Sequence, residues 1–304
     1  MPGRIVITAL LCFVLASASF SQADSLASPD YKKRRVILIS TGSAFGLGSL
    51  AYLNKAWYSE YHSGSFHFFN DNAEWLQMDK AGHAFTTYQT GRLMMEAFHW
   101  AGYGKTKQLF VGGCLGLGYM TAIEVMDGFS SGWGFSWGDQ LANVLGTSAA
   151  IAQQAFWNEQ RIQLKFSYAQ SGLAKYNPSL LGENIYTQLL KDYNGQTLWL
   201  SVNPSTFMKK ETRFPKWLSF ALGYSAYGML GGHENNFVVT DELGRVLKFE
   251  RARRYYLSVD VDLTRIKTKS RFLKSLFSVV NILKFPAPAL QLSQGKFRGY
   301  WLYY

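Results

Sequence analysis

Three short stretches of this 304-residue chain have residue types and spacing that could do chemistry: Asp79-Lys80-Ala81-Gly82-His83, Glu124-Val125-Met126-Asp127 and Asp139-Gln140-Leu141-Ala142-Asn143. Asp79 and His83 are four apart, so a helix puts them on one face. Glu124 and Asp127, three apart, are neighbours in the same sense, and Asn143 follows Asp139 by one turn. If the three stretches converge, they form an oxygen-rich site with one imidazole. That donor set suits a hard or borderline divalent metal ion held by Asp79, His83, Glu124, Asp127 and Asp139. It also suits general acid/base catalysis by His83 and Glu124 with carboxylate partners. A structural explanation stands beside both. Asp139 can cap a helix with Ser136, Asp79 can cap a helix that starts near it, and Glu124 can pair with Lys80 or Arg92 to hold helices in register. On that explanation Lys80, Arg92, Ser136 and Asn143 are structural polar residues.

The stretches between these clusters are almost free of charge, so each carboxylate borders surface that should be buried. A carboxylate taken out of water unpaired costs several kcal/mol, and each must therefore be paired, hydrogen-bonded, metal-bound or protonated. The elements that position them can be read in order. Asp71 and Glu74 have capping-box spacing and open a helix running to about Trp100, ended by Gly102 and Gly104. Residues 108–123 carry no charge, and Gly112, Gly113, Gly116 and Gly118 leave one side nearly bare, a surface that expects another helix pressed against it. Ser136 and Asp139 repeat the capping spacing and open a helix from about Trp137 to Trp157. Between them, Trp133, Phe135 and Trp137 form an aromatic, glycine-rich loop suited to a membrane interface, a lid or a packed turn. Upstream, Lys32-Lys33-Arg34-Arg35 precedes an uncharged segment, 36–54, that either just crosses a bilayer or forms a buried helix.

Composition narrows the class. The chain is 48% hydrophobic, 16% aromatic and 17% charged, with a formal charge of +11; this suits a protein at or in a membrane. Arg4, the apolar run 5–16 and small residues at 16–23 read as a secretory signal over 1–23. Cys12 lies inside that run without the small-residue context of a lipoprotein cleavage site and is read as part of the signal. Cys114 is then the one remaining cysteine, a packing residue with no disulfide partner. The basic charge points to membrane lipids or other envelope components as partners; no nucleic-acid motif occurs. His62, His67, His99 and His233 read as surface histidines. There is no hydrolase elbow, phosphate-binding glycine loop, H-E-x-x-H or dinucleotide fingerprint.

Beyond residue 159 the period shifts from 3.6 to 2. Residues 161–168, 197–202, 217–227, 255–263 and 297–304 read as strands, and D-E-L-G at 241–244 as a hairpin turn. One basic amphipathic helix, 269–284, interrupts them and is stopped by Pro286 and Pro288. The fold class is α+β: a membrane-associated helical bundle over 35–158 and a mostly antiparallel β portion over 160–304. That portion is either a sheet packed on the bundle, the preferred reading, or a small barrel.

D-K-A-G-H at 79–83, followed by E-V-M-D-G-F-S-x-x-W-G-F-S-W-G-D-x-x-A-N-x-x-G at 124–146, resembles the YfiM-type predicted periplasmic lipoproteins, a family of unknown function. More distantly it resembles the VanZ-like envelope proteins. The resemblance covers roughly residues 35–157, and the tail resembles an extended form of the family. It implies a cell-envelope location, periplasm or outer membrane, and a helical, membrane-associated core. It carries over no activity, cofactor or catalytic residue, and this chain departs from the lipoprotein members at the lipidation cysteine. The functional expectation is an exported envelope protein with a structural or interaction role. The alternative is a metal-dependent or acid/base hydrolase of a lipid-linked or phosphorylated precursor.

Overall fold

A computed structural model describes residues 30–55, 63–209, 212–235, 238–240 and 243–304. The segment read as a secretory signal, Cys12, His62 and the first half of the 241–244 turn lie outside the described residues.

The first described helix, α1 (Tyr31–Leu53), is capped by Asp30, whose side chain accepts from Lys33 N. It barely packs: Leu38 is its buried residue, while Val36 and Leu47 are 61% and 69% exposed. Its basic N-terminal turn reaches the open end of the second helix, α2 (Met78–Trp100). Arg34 donates to the Trp100 carbonyl, and Arg35 to those of Ala101 and Gly102. These are the C-terminal acceptors that no helical N–H satisfies, and cations are favoured there.

The helix expected from Asp71 begins later. A tight turn over Glu74–Gln77 precedes α2, and Trp75, Leu76 and Gln77 all take left-handed conformations, with φ of 48°, 50° and 64°. L-residues do not adopt that run unaided. Groups from the distant β portion hold it: Gly232 O accepts from Trp75 N, Tyr224 donates to Leu76 O, and Arg253 donates to Gln77 Oε1. Asp71 therefore does not cap α2, and its carboxylate is free to turn elsewhere.

Residues 107–112 form a π-helical turn that leads into α3 (Leu115–Gly128), and α4 (Trp137–Phe156) follows the aromatic loop. The bare side expected of the glycine-rich stretch does meet a helix, α2. A Cβ at Gly91 would meet Gly113 O at 2.7 Å, and one at Gly116 would meet Thr87 O at 3.0 Å. At Gly146 of α4, a Cβ would run into the Ala84 carbonyl and the Thr87 hydroxyl.

Six antiparallel strands follow in the order β1-β2-β3-β6-β7-β8: β1 (Ile162–Tyr168), β2 (Gln196–Val202), β3 (Leu218–Tyr227), β6 (Ala252–Val261), β7 (Ala287–Ser293) and β8 (Lys296–Tyr303). Two short helices, α5 (Pro178–Leu181) and α6 (Ile185–Lys191), lie between β1 and β2, and β4 (Val239–Thr240) pairs with β5 (Val246–Leu247). The amphipathic helix is α7 (Arg271–Val280). It ends at Asn281, ahead of the prolines, and the Asn281 side chain accepts from Lys165 and from Leu263 N. Strand β7 was not expected from the sequence. Pro288 is accommodated there by a register shift between Ala287 and Ala289, the kind of irregularity that admits proline into a ladder.

The sheet is strongly curled. Thr197 of β2 and Tyr303 of β8 are within 3.1 Å, yet four strand spacings in a flat sheet would separate them by about 19 Å. Its enclosed face is polar and packed, with Gln163, Lys165, Ser167, Ser201, Ser258 and Asp260 all buried beside Trp199 and Tyr256. Its outer face is apolar. Helix α2 covers the β1–β2 end of that face, where Phe85 meets Phe166 and Met78 packs with Leu198, Ala226 and Met229.

Replacing Gly146 with Val should force α4 away from α2 and destabilise the protein by about 1–3 kcal/mol. Gly118→Ala, where a Cβ meets nothing within 4 Å, should be neutral or stabilising by a few tenths of a kcal/mol. Thermal unfolding of the two variants in detergent tests the contrast.

Candidate functional site

The left-handed turn aims the first turns of α2 at the N-terminus of α4 and the end of α3, and the polar residues meet there. Lys80 is the centre. Its Nζ lies 2.6 Å from Asp71 Oδ1, 2.9 Å from Asp139 Oδ1 and 3.5 Å from Asp79 Oδ2. One turn on, His83 stands between two acids: Nε2 is 3.8 Å from Asp79 Oδ1, and Nδ1 is 3.6 Å from Glu124 Oε1. Nδ1 is also 3.1 Å from Asn143 Oδ1. Asn143 Oδ1 can only accept, so Nδ1 carries a proton towards it. Asp79 in turn accepts a 2.5 Å hydrogen bond from the Tyr193 hydroxyl.

Ser136 explains how α4 enters. Its hydroxyl accepts from Asp139 N at 3.1 Å, half of the expected capping box. The other half is replaced. Ser136 N donates to Glu124 Oε2 at 3.1 Å, and Ser136 Oγ donates to Asp71 Oδ1 at 2.6 Å. One cap thus joins the loop before α2, the end of α3 and the start of α4.

Of the sequence-derived candidates, the fold brings together Asp79, Lys80, His83, Glu124, Ser136, Asp139 and Asn143. Among the described residues, Asp79, His83 and Asp139 have ligand atoms that all lie within 4.8 Å of one another. Glu124 sits on the opposite ring nitrogen. Asp127 is half-buried and acts on Glu124 through its charge. Arg92 does not join. It lies nine residues beyond His83, about 14 Å along the axis, and pairs with Glu96 at 2.9 Å and with Ser278. Two members had no individual signal in the sequence. Asp71 looked like a cap, and Tyr193 lies in a stretch without periodicity. His67, His99 and His233 are exposed, and His233 pairs with Glu74 at 3.1 Å.

Burial sets the protonation of the acids. It pushes Glu124 up to about 8, against the Ser136 N–H and with the charges of Asp127 and Asp79 adding. Burial likewise pushes Asp139 up to about 10, helped by the Asp79 charge and a hydrogen bond with Asp71. Asp71 moves the other way: burial would raise it, but hydrogen bonds from Asp139, Lys80 and Ser136 hold it below its ordinary value. Asp71 and Asp139 are therefore an acid pair sharing one proton, with Asp139 carrying it. Lys80 is held above its ordinary value; burial opposes this, and the Asp79 charge together with the hydrogen bonds to Asp71 and Asp139 outweighs it. Asn143 Nδ2 and Thr147 Oγ1, one turn apart on the inner face of α4, are buried without a hydrogen-bond partner among the described residues.

A second buried ion pair lies inside the sheet. Lys165 Nζ is 2.7 Å from Asp260 Oδ2 with both side chains fully buried. Val261 O, Asn281, Ser201 and Phe285 N complete their hydrogen bonds. Every partner of this pair is spoken for, so it reads as structural.

Residues 67–155 match the family described as Predicted periplasmic lipoprotein (DUF2279), of unknown function. Over that segment the match bears out the resemblance carried by the D-K-A-G-H and E-V-M-D to A-N-x-x-G motifs. It supports an exported, periplasmic protein and assigns no activity. No curated protein and no solved structure matches the chain. The matched segment holds the whole cluster except Tyr193.

Lys80→Met should cost about 3–5 kcal/mol, the typical penalty for stranding buried charges. The loss should shrink as pH falls towards 4 and the orphaned carboxylates take up protons. For Glu124 the sign is opposite to that of an ordinary surface acid. Its folded pKa lies above its unfolded one, so its contribution is complete below about pH 4.5 and is lost as pH rises through about 8. Glu124→Gln should therefore flatten the decline of stability between pH 5 and 8, by up to about 1.4 kcal/mol per pH unit. Denaturant melts at pH 5, 6.5 and 8 check both variants.

Proposed function

We propose that this protein is a membrane-associated envelope protein with a structural or interaction role, and that its buried His/carboxylate cluster is a clamp tying the helices to one another and to the β portion. The observation that carries this reading is the position of Lys80. The ammonium already occupies the point where Asp71, Asp79 and Asp139 converge, so the cluster supplies its own cation. Each remaining bond joins a different segment: Ser136 to Asp71, Glu124 to Ser136 N, His83 to Asn143 and Tyr193 to Asp79. Buried networks of this kind specify one packing of the elements that carry them.

Membrane association is supported by what the fold leaves uncovered. Helix α1, about 34 Å long at 1.5 Å per residue, matches a hydrocarbon core of about 30 Å, and almost none of it is buried against the protein. The aromatic loop packs on residues 63–69 through Phe66, Phe129 and Phe135, yet leaves Phe68 and Trp137 stacked and exposed. The outer sheet face presents Leu222, Leu257 and Leu290, all more than 40% exposed. An apolar outside around a polar inside inverts the usual soluble pattern and is the arrangement of proteins in contact with lipid.

A second reading rests on a specific observation. Asp79, His83 and Asp139 form a compact donor set, and the unpartnered amide of Asn143 faces inward beside it. If Lys80 swung away, that trio would accept a divalent metal ion, or His83 would act as a base towards a phosphorylated lipid-linked substrate.

Metal analysis of the purified full chain separates the two. The clamp reading expects no stoichiometric metal and an unchanged melting temperature after chelation. One equivalent of a divalent ion, lost together with stability in His83→Ala, would overturn it. The membrane reading expects the chain to stay with membranes through alkaline carbonate and to leave them only in detergent.

A further inference from the structure

We propose that α7 and the segment leading into it form a binding site for the phosphate headgroup of an anionic lipid; this rests on the membrane reading above and names the lipid chemistry it would meet. From residue 263 to the last residue the sequence contains no acid, while Arg265, Lys267, Lys269, Arg271 and Lys274 fall within ten positions. They precede or open a helix whose two sides differ sharply. Phe272, Leu273 and Val280 are exposed at 43%, 36% and 40%, and Leu283 and Phe285 continue the apolar side at 54% and 50%. The other side is anchored on α2: Ser278 donates to Glu96 at 2.7 Å, and Arg92 donates to the Ser278 hydroxyl and carbonyl.

Between α7, residues 263–268 and Glu96 of α2 lies a cleft of about 510 Å³, lined by Arg265, Lys267, Lys274, Thr268, Ile266 and Phe277 among others. The charges facing it sort into engaged and free. Arg265 is held by Glu159 at 2.9 Å and by Asp262, and Glu96 is held by Arg92 at 2.9 Å. Lys267 and Lys274 make no ion pair among the described residues, so two uncompensated ammonium groups face the cleft. Thr268 offers a hydroxyl beside them.

A phosphate would sit between these groups while its acyl chains lie along Phe272, Leu273, Val280 and Leu283. This is the division of labour of an interfacial helix, with cations at the headgroup level and apolar residues beneath it. A soluble acidic partner would use the lysines and leave the apolar side uncovered. The lipid uses both, which is why the bilayer surface is the occupant the site fits.

The test uses the detergent-solubilised full chain, titrated with short-chain phosphatidylglycerol, short-chain phosphatidylcholine or inorganic phosphate, with the melting temperature as readout. Phosphatidylglycerol should raise it in a saturable way at concentrations where the other two do not. Lys267→Gln with Lys274→Gln should weaken that response about tenfold or more; both side chains lie on the surface and circular dichroism confirms that the variant folds. An equal effect of phosphate would make this an anion site without lipid, an equal effect of phosphatidylcholine would make it a greasy surface without headgroup recognition, and an unchanged double variant would remove it. Any of the three overturns the proposal. Carbonate extraction reports separately on the membrane reading, so the two can fail independently.

Discussion

The lysine at the centre of the acid cluster is the constraint on which the rest of the helical part depends. Four carboxylates, from Asp71, Asp79, Glu124 and Asp139, crowd around one ammonium and one imidazole. Left ionised, they would carry three uncompensated negative charges into a site where burial makes each costly. Protons on Glu124 and Asp139 reduce the sum to Asp71 and Asp79 against Lys80, with the Tyr193 hydroxyl and the His83 ring turned towards the remaining charge. That arrangement works only if Lys80 is delivered to within 3 Å of acids on two other segments. Its delivery is set by three consecutive left-handed residues, Trp75 to Gln77, which residues of the β portion hold in place. The β portion therefore aims the lysine, and the lysine gathers the helices. The left-handed turn is thus the point where the two parts are joined.

Much of this was legible in the chain, for reasons that can be stated. Ser136 and Asp139 gave the start of α4 because a cap is a local interaction three residues long. The glycines at 112, 113 and 116 marked a close helix contact because only backbone fits there. Alternating strands betrayed themselves by period. The convergence of Asp79, His83, Glu124 and Asp139 followed from charge placement: acids bordering uncharged helices must find company. What stayed hidden depends on distant partners. Nothing near Trp75 announces a left-handed turn, because Gly232, Tyr224 and Arg253 impose it. Arg92 looked like a cation for Glu124, but its place on the helix turns it to Glu96 and Ser278. The end of α7 was assigned to prolines that come too late: the helix stops at Asn281, whose side chain is held by the distant Lys165.

The β portion carries a second lesson, on which way a strand faces. Alternation in R-I-Q-L-K-F-S-Y identifies β1 but not which phase points inward. In a soluble sandwich, Ile162, Leu164 and Phe166 would fill the core, with Gln163, Lys165 and Ser167 in water. Here the sheet curls the other way. The polar phase is enclosed, and Lys165 survives there because Asp260, Asn281 and the Val261 carbonyl satisfy all that an ammonium demands. The apolar phase is covered by α2 at one end of the sheet and left open over the rest.

That open face bears on how the sheet ends. The free edge of β1 is closed by residues 282–284, whose backbone pairs with Phe166, but among the described residues β8 has no strand on its outer side. Lys296 and Arg298 sit along this edge, and charged edge residues discourage pairing with a second chain. An unpaired edge cannot lie in hydrocarbon, where its N–H and C=O groups would go unsatisfied.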